Sequence, residues 1–517
     1  MGSYTKAAVT RSAPYRVAIV GTGFSGLGMA IRLKQAGIDD FVVFEKEGGV
    51  GGTWRVNHYP GCACDVQSHL YSFSFEPNPR WSRMFAPQPE IKAYLEHCAE
   101  KYGVTPHLRL NTEIRSARWD EVASVWCIRD AQGNEYRAQV LISGMGGLST
   151  PSYPQVPGIE NFKGKTFHSQ QWDHGYDLKG KRVAVIGTGA SAIQFVPQIQ
   201  RQVARLDLYQ RTPPWIVPKP DRPISALEHA LFERLPLAQT ALRGAIYGLL
   251  ESRALAFTME PRILKFVQKF AELHLRRQVR DPELRRKLTP DYVLGCKRVL
   301  ISDDYYPALT QPNVEVITTG IREVRAHSVI DSAGVEREVD AIIFGTGFKA
   351  ADPVPRGVVF GRKNQDLLDA WPDGPEAYKG ASVAGFPNLF FLMGPNTGLG
   401  HNSMVYMIES QIAYVLDALR TMDEEQLRSV EVRPDAQVRF NRTLAERMRR
   451  AIWSVGGCKS WYVHPVSGKN VTLWPGFTWQ FRLLTRRFDA RAYILRGKMP
   501  AATPATPTPP RSAPLPA

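Results

Sequence analysis

No apolar run of about 18 residues occurs in the 517-residue sequence, so no transmembrane helix is implied. The stretch from Met1 to Arg16 is polar and has no hydrophobic signal core. Lys6 stands where a myristoylation signal after Met1-Gly2 needs Ser or Thr. Cysteine is sparse: the six, at 62, 64, 98, 127, 296 and 458, are scattered, which suits a reducing cytoplasm, and the expected location is cytoplasmic. Cys62 and Cys64 form C-x-C and not the C-x-x-C of redox dithiols, which argues against a disulfide reductase. No His/Cys cluster has metal-ligand spacing, so no metal is expected. The net charge of +16 comes with no nucleic-acid recognition motif, and the basic residues are spread out. One cluster, Arg276, Arg277, Arg280, Arg285, Arg286 and Lys287, reads as a solvated helix face. The remaining composition, 44% hydrophobic and 22% charged, is that of a globular protein long enough for two or three domains.

Two glycine-rich turns stand out against this background. Tyr15 to Val20 reads as a buried parallel strand, followed by Gly21-Thr22-Gly23-Phe24-Ser25-Gly26 and a helix over about Ser25 to Gln35. Gly23 lets a pyrophosphate approach the backbone, and Gly26 lets the helix pack on the strand. The helix N-terminus offers free N–H groups to the diphosphate. The next strand, Phe41 to Phe44, ends at Glu45, placed to accept from ribose hydroxyls. A second strand, Arg182 to Ile186, leads into Gly187-Thr188-Gly189-Ala190-Ser191-Ala192, a helix to Gln200 and a strand from Leu206 to Gln210. Where the first site has a carboxylate, the second has Arg211 at the same offset, with Thr212 beside it. A guanidinium fork fits a 2′-phosphate and favours NADP(H) over NAD(H).

Between the turns lies Phe162-Lys163-Gly164-Lys165-Thr166-Phe167-His168-Ser169-Gln170-Gln171-Trp172-Asp173. This F-x-G-x-x-x-H-x-x-x-W-(P/D) pattern, carried by Phe162, Gly164, His168, Trp172 and Asp173, resembles the fingerprint of the type I Baeyer–Villiger monooxygenases. These are FAD- and NADPH-dependent enzymes that turn ketones into esters or lactones. A plain domain-linker packing role for His168 and Trp172 is the alternative. Gly52-Thr53-Trp54 to Tyr59-Pro60-Gly61 and Asp65 is similar to the family's second fingerprint, the loop along the flavin.

The resemblance implies an α/β fold with two dinucleotide-binding, Rossmann-like domains and a helical insertion in the NADP domain. The expected boundaries are 1–150 for the first part of the FAD domain and 151–387 for the NADP domain, with the insertion at about 224–290. The range 388–499 is the C-terminal part of the FAD domain, and 500–517 a disordered tail. In the insertion, Leu227, Ala230 and Leu231 share one helical face, as do Ile263, Val267 and Phe270, with Pro236, Pro261 and Pro282 breaking it into short helices.

By the same resemblance, FAD is held by Gly21, Gly23, Phe24, Ser25, Gly26, Glu45, Lys46, Gly52, Thr53, Trp54, Asp65, Tyr71, Ile114 and the backbone N–H of Met404. NADP is held by Thr188, Gly189, Ala190, Ser191, Gln194, Arg211, Thr212, Lys297 and Arg298. Asp340 to Phe348 resembles the family's hinge, with Gly345 in place of a commoner Ala. Arg298 matches the catalytic arginine, which keeps a flavin C4a-peroxide anionic so that it attacks a ketone carbonyl, and Asp65 orients Arg298. The implied partners are a ketone and O₂. The rival readings are a flavin-containing monooxygenase acting on N or S, an aldehyde oxygenase, and a flavin reductase that never uses O₂.

Overall fold

The computed structural model describes residues 13–349, 354–458 and 460–498. The tail expected over 500–517 and most of the polar N-terminal stretch lie outside them.

Two mostly parallel sheets dominate, each begun by one of the glycine turns. In the first, β1 (Tyr15–Val20) lies between β2 (Phe41–Phe44) and β3 (Glu135–Ser143), parallel to both. Val17, Ala18 and Ile19 are completely buried because both faces of the sheet are covered, which is why the strand reads as a continuous apolar run. The sheet extends through Leu108–Arg109 on one side and through Val125–Asp130, Ile114–Asp120 and Val359–Phe360 on the other. Leu389–Phe391 also pairs with β3, in parallel. The C-terminal part of the chain therefore returns to the sheet begun by the N-terminal part. Helix α1 (Phe24–Gln35) covers one face of this sheet.

The second sheet runs Val314–Ile317, β6 (Arg205–Tyr209), β5 (Arg182–Ile186), Ala341–Phe344 and β4 (Lys165–His168), all parallel. Its crossover from β5 is α2 (Ala192–Gln200). The fold is thus α/β with two nucleotide-binding sheets. Between Ile216–Val217 and the paired Leu300–Ile301, the chain departs into helices. These are Ala226–Arg234, α3 (Pro236–Ala254), a π-turn Leu255–Met259, α4 (Leu264–Gln278) and Pro282–Leu288. Pro236, Pro261 and Pro282 each stand in the first turn of an element, where the missing N–H leaves no bond unmade. They set boundaries as expected, but α3 and α4, at 19 and 15 residues, are not short.

Two expectations need correction. The apolar faces read in the insertion are not its buried faces: Leu227, Leu231 and Phe270 are 80%, 44% and 69% exposed. The residues of α4 that pack inward are Leu264, Ala271, His274 and Leu275. Periodicity shows that a helix has an apolar arc, but the tertiary fold decides which part of it is covered. The cysteines are also not all apart. Cys296 and Cys458, 162 residues apart in sequence, form a disulfide, and the other four are free thiols. This bond joins the end of the insertion to the C-terminal stretch, and such pairings cannot be deduced from spacing.

Candidate active site

The first glycine turn is built as a phosphate cradle. Helix α1 starts at Phe24 with Gly23 as its N-cap and no side chain bonded to its first-turn N–H groups. Those donors, among them Ser25 and Gly26, remain free for an anion. Two other helices are closed by side chains instead: Ser225 forms a capping box with Glu228, and Asp281 accepts from the Glu283 and Leu284 N–H groups. A Cβ on Gly26 would stand 1.9 Å from the Gly21 carbonyl oxygen, so no other residue fits there. A Cβ on Gly23 would touch the protein only at Gly52, at 3.6 Å. The room at Gly23 is therefore filled by no other part of the chain, as a site for a diphosphate requires. Glu45 is buried at the end of β2, where its Oε2 accepts from the Thr22 N–H at 2.9 Å and hydroxyl at 2.6 Å. Its Oε1 accepts from the Glu47 N–H at 3.0 Å. Lys46 beside it is exposed. Ile114 packs at the edge of the core beneath this sheet.

The next loop folds back onto the cradle. Gly52 has φ +52°, and a Cβ there would meet the Gly23 Cα at 2.7 Å, so the two glycines pack backbone to backbone. Thr53 and Trp54 follow in a single helical turn, and Trp54 Nε1 donates to the Tyr71 hydroxyl at 3.2 Å. Tyr71 in turn meets the Phe24 ring edge-on at 5.1 Å. At the end of the loop, Asp65 meets Arg298, 233 residues later in the chain. Arg298 Nε and Nη2 both donate to Asp65 Oδ2, at 2.8 and 2.6 Å. The Asp65 carboxylate, working against burial, raises Arg298 above the ordinary arginine range. Nη1 has no partner among the described residues.

The second turn carries the opposite charge. Helix α2 also lacks a side-chain cap at its N-terminus, so Gly189, Ala190 and Ser191 present an open end. Thr188 Oγ1 donates to the Thr212 carbonyl at 3.2 Å. Arg211 is exposed and close enough to Lys297 to act on its titration. Lys297 is held below the usual lysine range, first by burial and then by Arg211, with Asp291 opposing. Two cations side by side, with no carboxylate at ion-pair distance from either among the described residues, fit an anionic ligand. Gln194 does something the sequence did not suggest. It accepts from Tyr59 Oη at 3.0 Å and donates to the Ala63 carbonyl at 3.0 Å, holding α2 to the loop that ends in Asp65.

Among the described residues, no hydrogen bond, ion pair or ring contact joins the segment 162–173 to Asp65 or Arg298. Its core is β4, the edge strand of the second sheet. A Cβ on Gly164 would fall 2.5 Å from the Asp340 carbonyl oxygen and from the Phe162 ring. His168 Nδ1 accepts from the Gln170 N–H at 3.1 Å, and Gln170 Nε2 donates to the Ser149 carbonyl at 2.7 Å. The His168 ring packs on Tyr153 and Phe348, and Trp172 on Phe167 and Phe195. Asp173 pairs with Lys165 at 2.6 Å. Residues near 150 and near 346 are the two chain crossings between the sheets, so this segment packs both crossings together. The linker-packing alternative describes these contacts.

Several site residues were not singled out from the sequence. Tyr462 is buried near Arg298, its hydroxyl has no partner, and burial, opposed by Arg298, pushes it up to about 12. His401, in the loop before α5 (Met404–Glu424), is buried with neither ring nitrogen hydrogen-bonded, its Nε2 lying 4.0 Å from the Glu251 carboxylate. Burial, then Arg253, lower it to about 4. Phe257 of the insertion and Trp453 pack over Gly400, and the Glu251 carboxylate accepts from Asn402 at 2.6 Å. Met404 opens α5, with Ser403 as an N-cap whose side chain makes no cap bond.

Two open nucleotide cradles of opposite charge, with an arginine–aspartate pair between them, define a two-dinucleotide flavoprotein oxidoreductase. The family model for pyridine nucleotide-disulphide oxidoreductases matches residues 18–241. A Baeyer–Villiger monooxygenase of Pseudomonas aeruginosa is 68% identical over 480 residues, 93% of this chain and 91% of that protein. One from Streptomyces coelicolor is 50% identical over 94% of this chain and 93% of its own. Among solved structures, cyclohexanone monooxygenase from Rhodococcus bound to NADP⁺ matches with a TM-score of 0.83 at 28% identity, covering 94% of this chain and 100% of that one. The chain belongs to the Baeyer–Villiger monooxygenase family. It is an NADPH- and FAD-dependent flavin monooxygenase.

Proposed function

We propose that Arg298 is the catalytic cation of this monooxygenase, and that Asp65 positions it. The observation that carries this reading is the one-sided pairing: two guanidinium nitrogens are fixed on a single carboxylate oxygen, and Nη1 is left free. Bound FAD supplies the redox chemistry that activates O₂, with NADPH as the hydride source. Arg298 offers a fixed positive charge and a spare donor, which favour an anionic oxygen species over its protonated form. An anionic species attacks a carbonyl carbon, so the substrate is a ketone and the product an ester or lactone. Asp65 keeps the guanidinium oriented without using the donor that faces the reaction. Arg211 and Lys297 take the 2′-phosphate of NADPH, and Glu45 takes the ribose of FAD. Gly21, Gly23 and the open end of α1 take the FAD diphosphate. The open end of α5, through the Met404 N–H, would help hold the flavin and favour negative charge on its reduced form. We place the enzyme in the cytoplasm, where NADPH is made.

Arg298→Ala tests the assignment. The variant should keep its flavin and lose ketone oxygenation by about 100- to 1000-fold, the usual loss for one well-placed donor or charge. NADPH consumption should then yield hydrogen peroxide in place of ester. Ester formation near the parent rate would assign the role to another cation.

A further inference from the structure

The insertion turns an apolar face to solvent. On α4 and the residue before it, Ile263, Phe266, Val267, Phe270 and Leu273 recur at helical spacing, and Phe266 and Phe270 are 67% and 69% exposed. The buried arc of the same helix, Leu264, Ala271, His274 and Leu275, packs inward, with His274 against Tyr306 and at 3.1 Å from the Ser302 carbonyl. The π-turn before it adds Leu255 and Met259 to the exposed side. Single exposed apolar residues need no explanation, but seven on one hairpin do.

The rim of this face is basic. Arg262, Lys265, Lys269, Arg276 and Arg277 flank it, and Glu272 is the sole acid of α4. Arg262 reaches Glu260 at 3.8 Å. No carboxylate lies at ion-pair distance from Lys265, Lys269, Arg276 or Arg277 among the described residues. An amphipathic helix with aromatic residues on one side and unpaired Lys and Arg beside them is suited to an anionic bilayer surface. A second copy of the chain is a poor fit, because self-pairing would set the basic rim against itself.

We infer that the face formed by the π-turn and α4 seats on an anionic lipid surface, with Phe266 and Phe270 in the acyl boundary and the basic rim at the headgroups. The cytoplasmic leaflet carries such charge. The inner side of the same turn, Phe257, packs over Gly400 and Trp453 beside His401. On the ketone-oxygenase reading above, seating would bring this wall of the site to the phase in which apolar ketones dissolve. Vesicle binding itself does not depend on that reading.

The test is co-sedimentation of the FAD-loaded full chain with phosphatidylcholine vesicles, with and without phosphatidylglycerol. The protein should bind the anionic vesicles, bind the neutral ones far less, and come off as salt is raised. The double variant Phe266→Ser/Phe270→Ser should lose binding by about tenfold or more per ring withdrawn from lipid. Lys265→Gln and Lys269→Gln should each weaken it about fivefold. Both sets should keep parent flavin content, since they alter exposed positions. No binding to anionic vesicles, or unchanged binding by the Phe variant, would overturn the proposal. So would a lipid-free dimer that the Phe variant converts to monomer while vesicle binding stays absent; that result would assign the face to a second copy.

Discussion

The two glycine turns use one backbone device for two kinds of ligand. In the first, the acid at the strand end is buried and already bonded, with Glu45 accepting from both the N–H and the hydroxyl of Thr22. In the second, the residue at the same offset is an exposed arginine next to a second cation. In the first turn the acid is therefore held in place by the chain itself. The second leaves Arg211 and Lys297 without a carboxylate at ion-pair distance among the described residues, a place for an anion. A buried, internally bonded cradle suits a cofactor that stays, and an open, cationic one suits a cofactor that is exchanged each turnover. The helix entries differ in the same sense. Gly26 in the first turn admits no side chain, whereas Ala192 fills the corresponding place in the second. Both turns are faced by a glycine, Gly144 in the first and Gly345 in the second, and a Cβ on Gly345 would come within 3.2 Å of the Ala192 Cβ.

Substitution should separate the two turns most sharply at their third positions. Gly26→Ala should yield colourless or insoluble protein, since its Cβ has 1.9 Å to the nearest oxygen. Ala192→Gly should cost about 1 kcal/mol at most and leave the flavin bound. Flavin absorbance of the purified proteins reads both. A yellow, soluble Gly26→Ala protein would erase the distinction.

A smaller effect is expected at the cationic pair. Arg211→Ala removes a charge-assisted bond of roughly 1.5–3 kcal/mol, so KM for NADPH should rise about ten- to a hundred-fold while KM for NADH barely moves. Equal changes for both cofactors would mean that Arg211 does not touch the 2′-phosphate.

The smallest effect concerns pH. Lys297 is depressed by burial and by Arg211. Its charged form is the one that binds phosphate, so that charge is lost at lower pH than for an ordinary lysine. KM for NADPH should begin to rise below the usual lysine range, and Arg211→Ala, by removing one depressing charge, should move the rise to higher pH. An upward limb that does not shift in the variant would exclude Lys297 as its source.

Much of this was legible in the sequence, for physical reasons. Gly21, Gly23, Gly26 and Glu45 sit within one strand–turn–helix–strand unit, where short spacing nearly fixes geometry. The same holds from Gly187 to Arg211. The pairing of Asp65 with Arg298 was legible only through the family resemblance, because it bridges 233 residues. The loop Gly398 to Ser403 and the stretch Trp453 to Trp479 were legible as pocket-bearing, but Tyr462, His401 and the Cys296–Cys458 disulfide could not be singled out, since each depends on where the insertion and the C-terminal stretch come to rest. The apolar spacing of Ile263, Val267 and Phe270 was read correctly as helical but could not say that the face stays exposed. The 162–173 segment was the strongest family marker, yet its side chains pack the two crossings between the sheets.

The claim that Asp65 acts through Arg298 is tested most directly by a double-mutant cycle on ketone turnover. Asp65→Ala, Arg298→Ala and the double variant would each be assayed for kcat/KM of ester formation and for bound flavin. If Asp65 only positions the guanidinium, the double variant should fall within about threefold of Arg298→Ala alone, because residues that act as a unit are not additive. Losses that multiply, with flavin content unchanged, would contradict the account and give Asp65 a separate role.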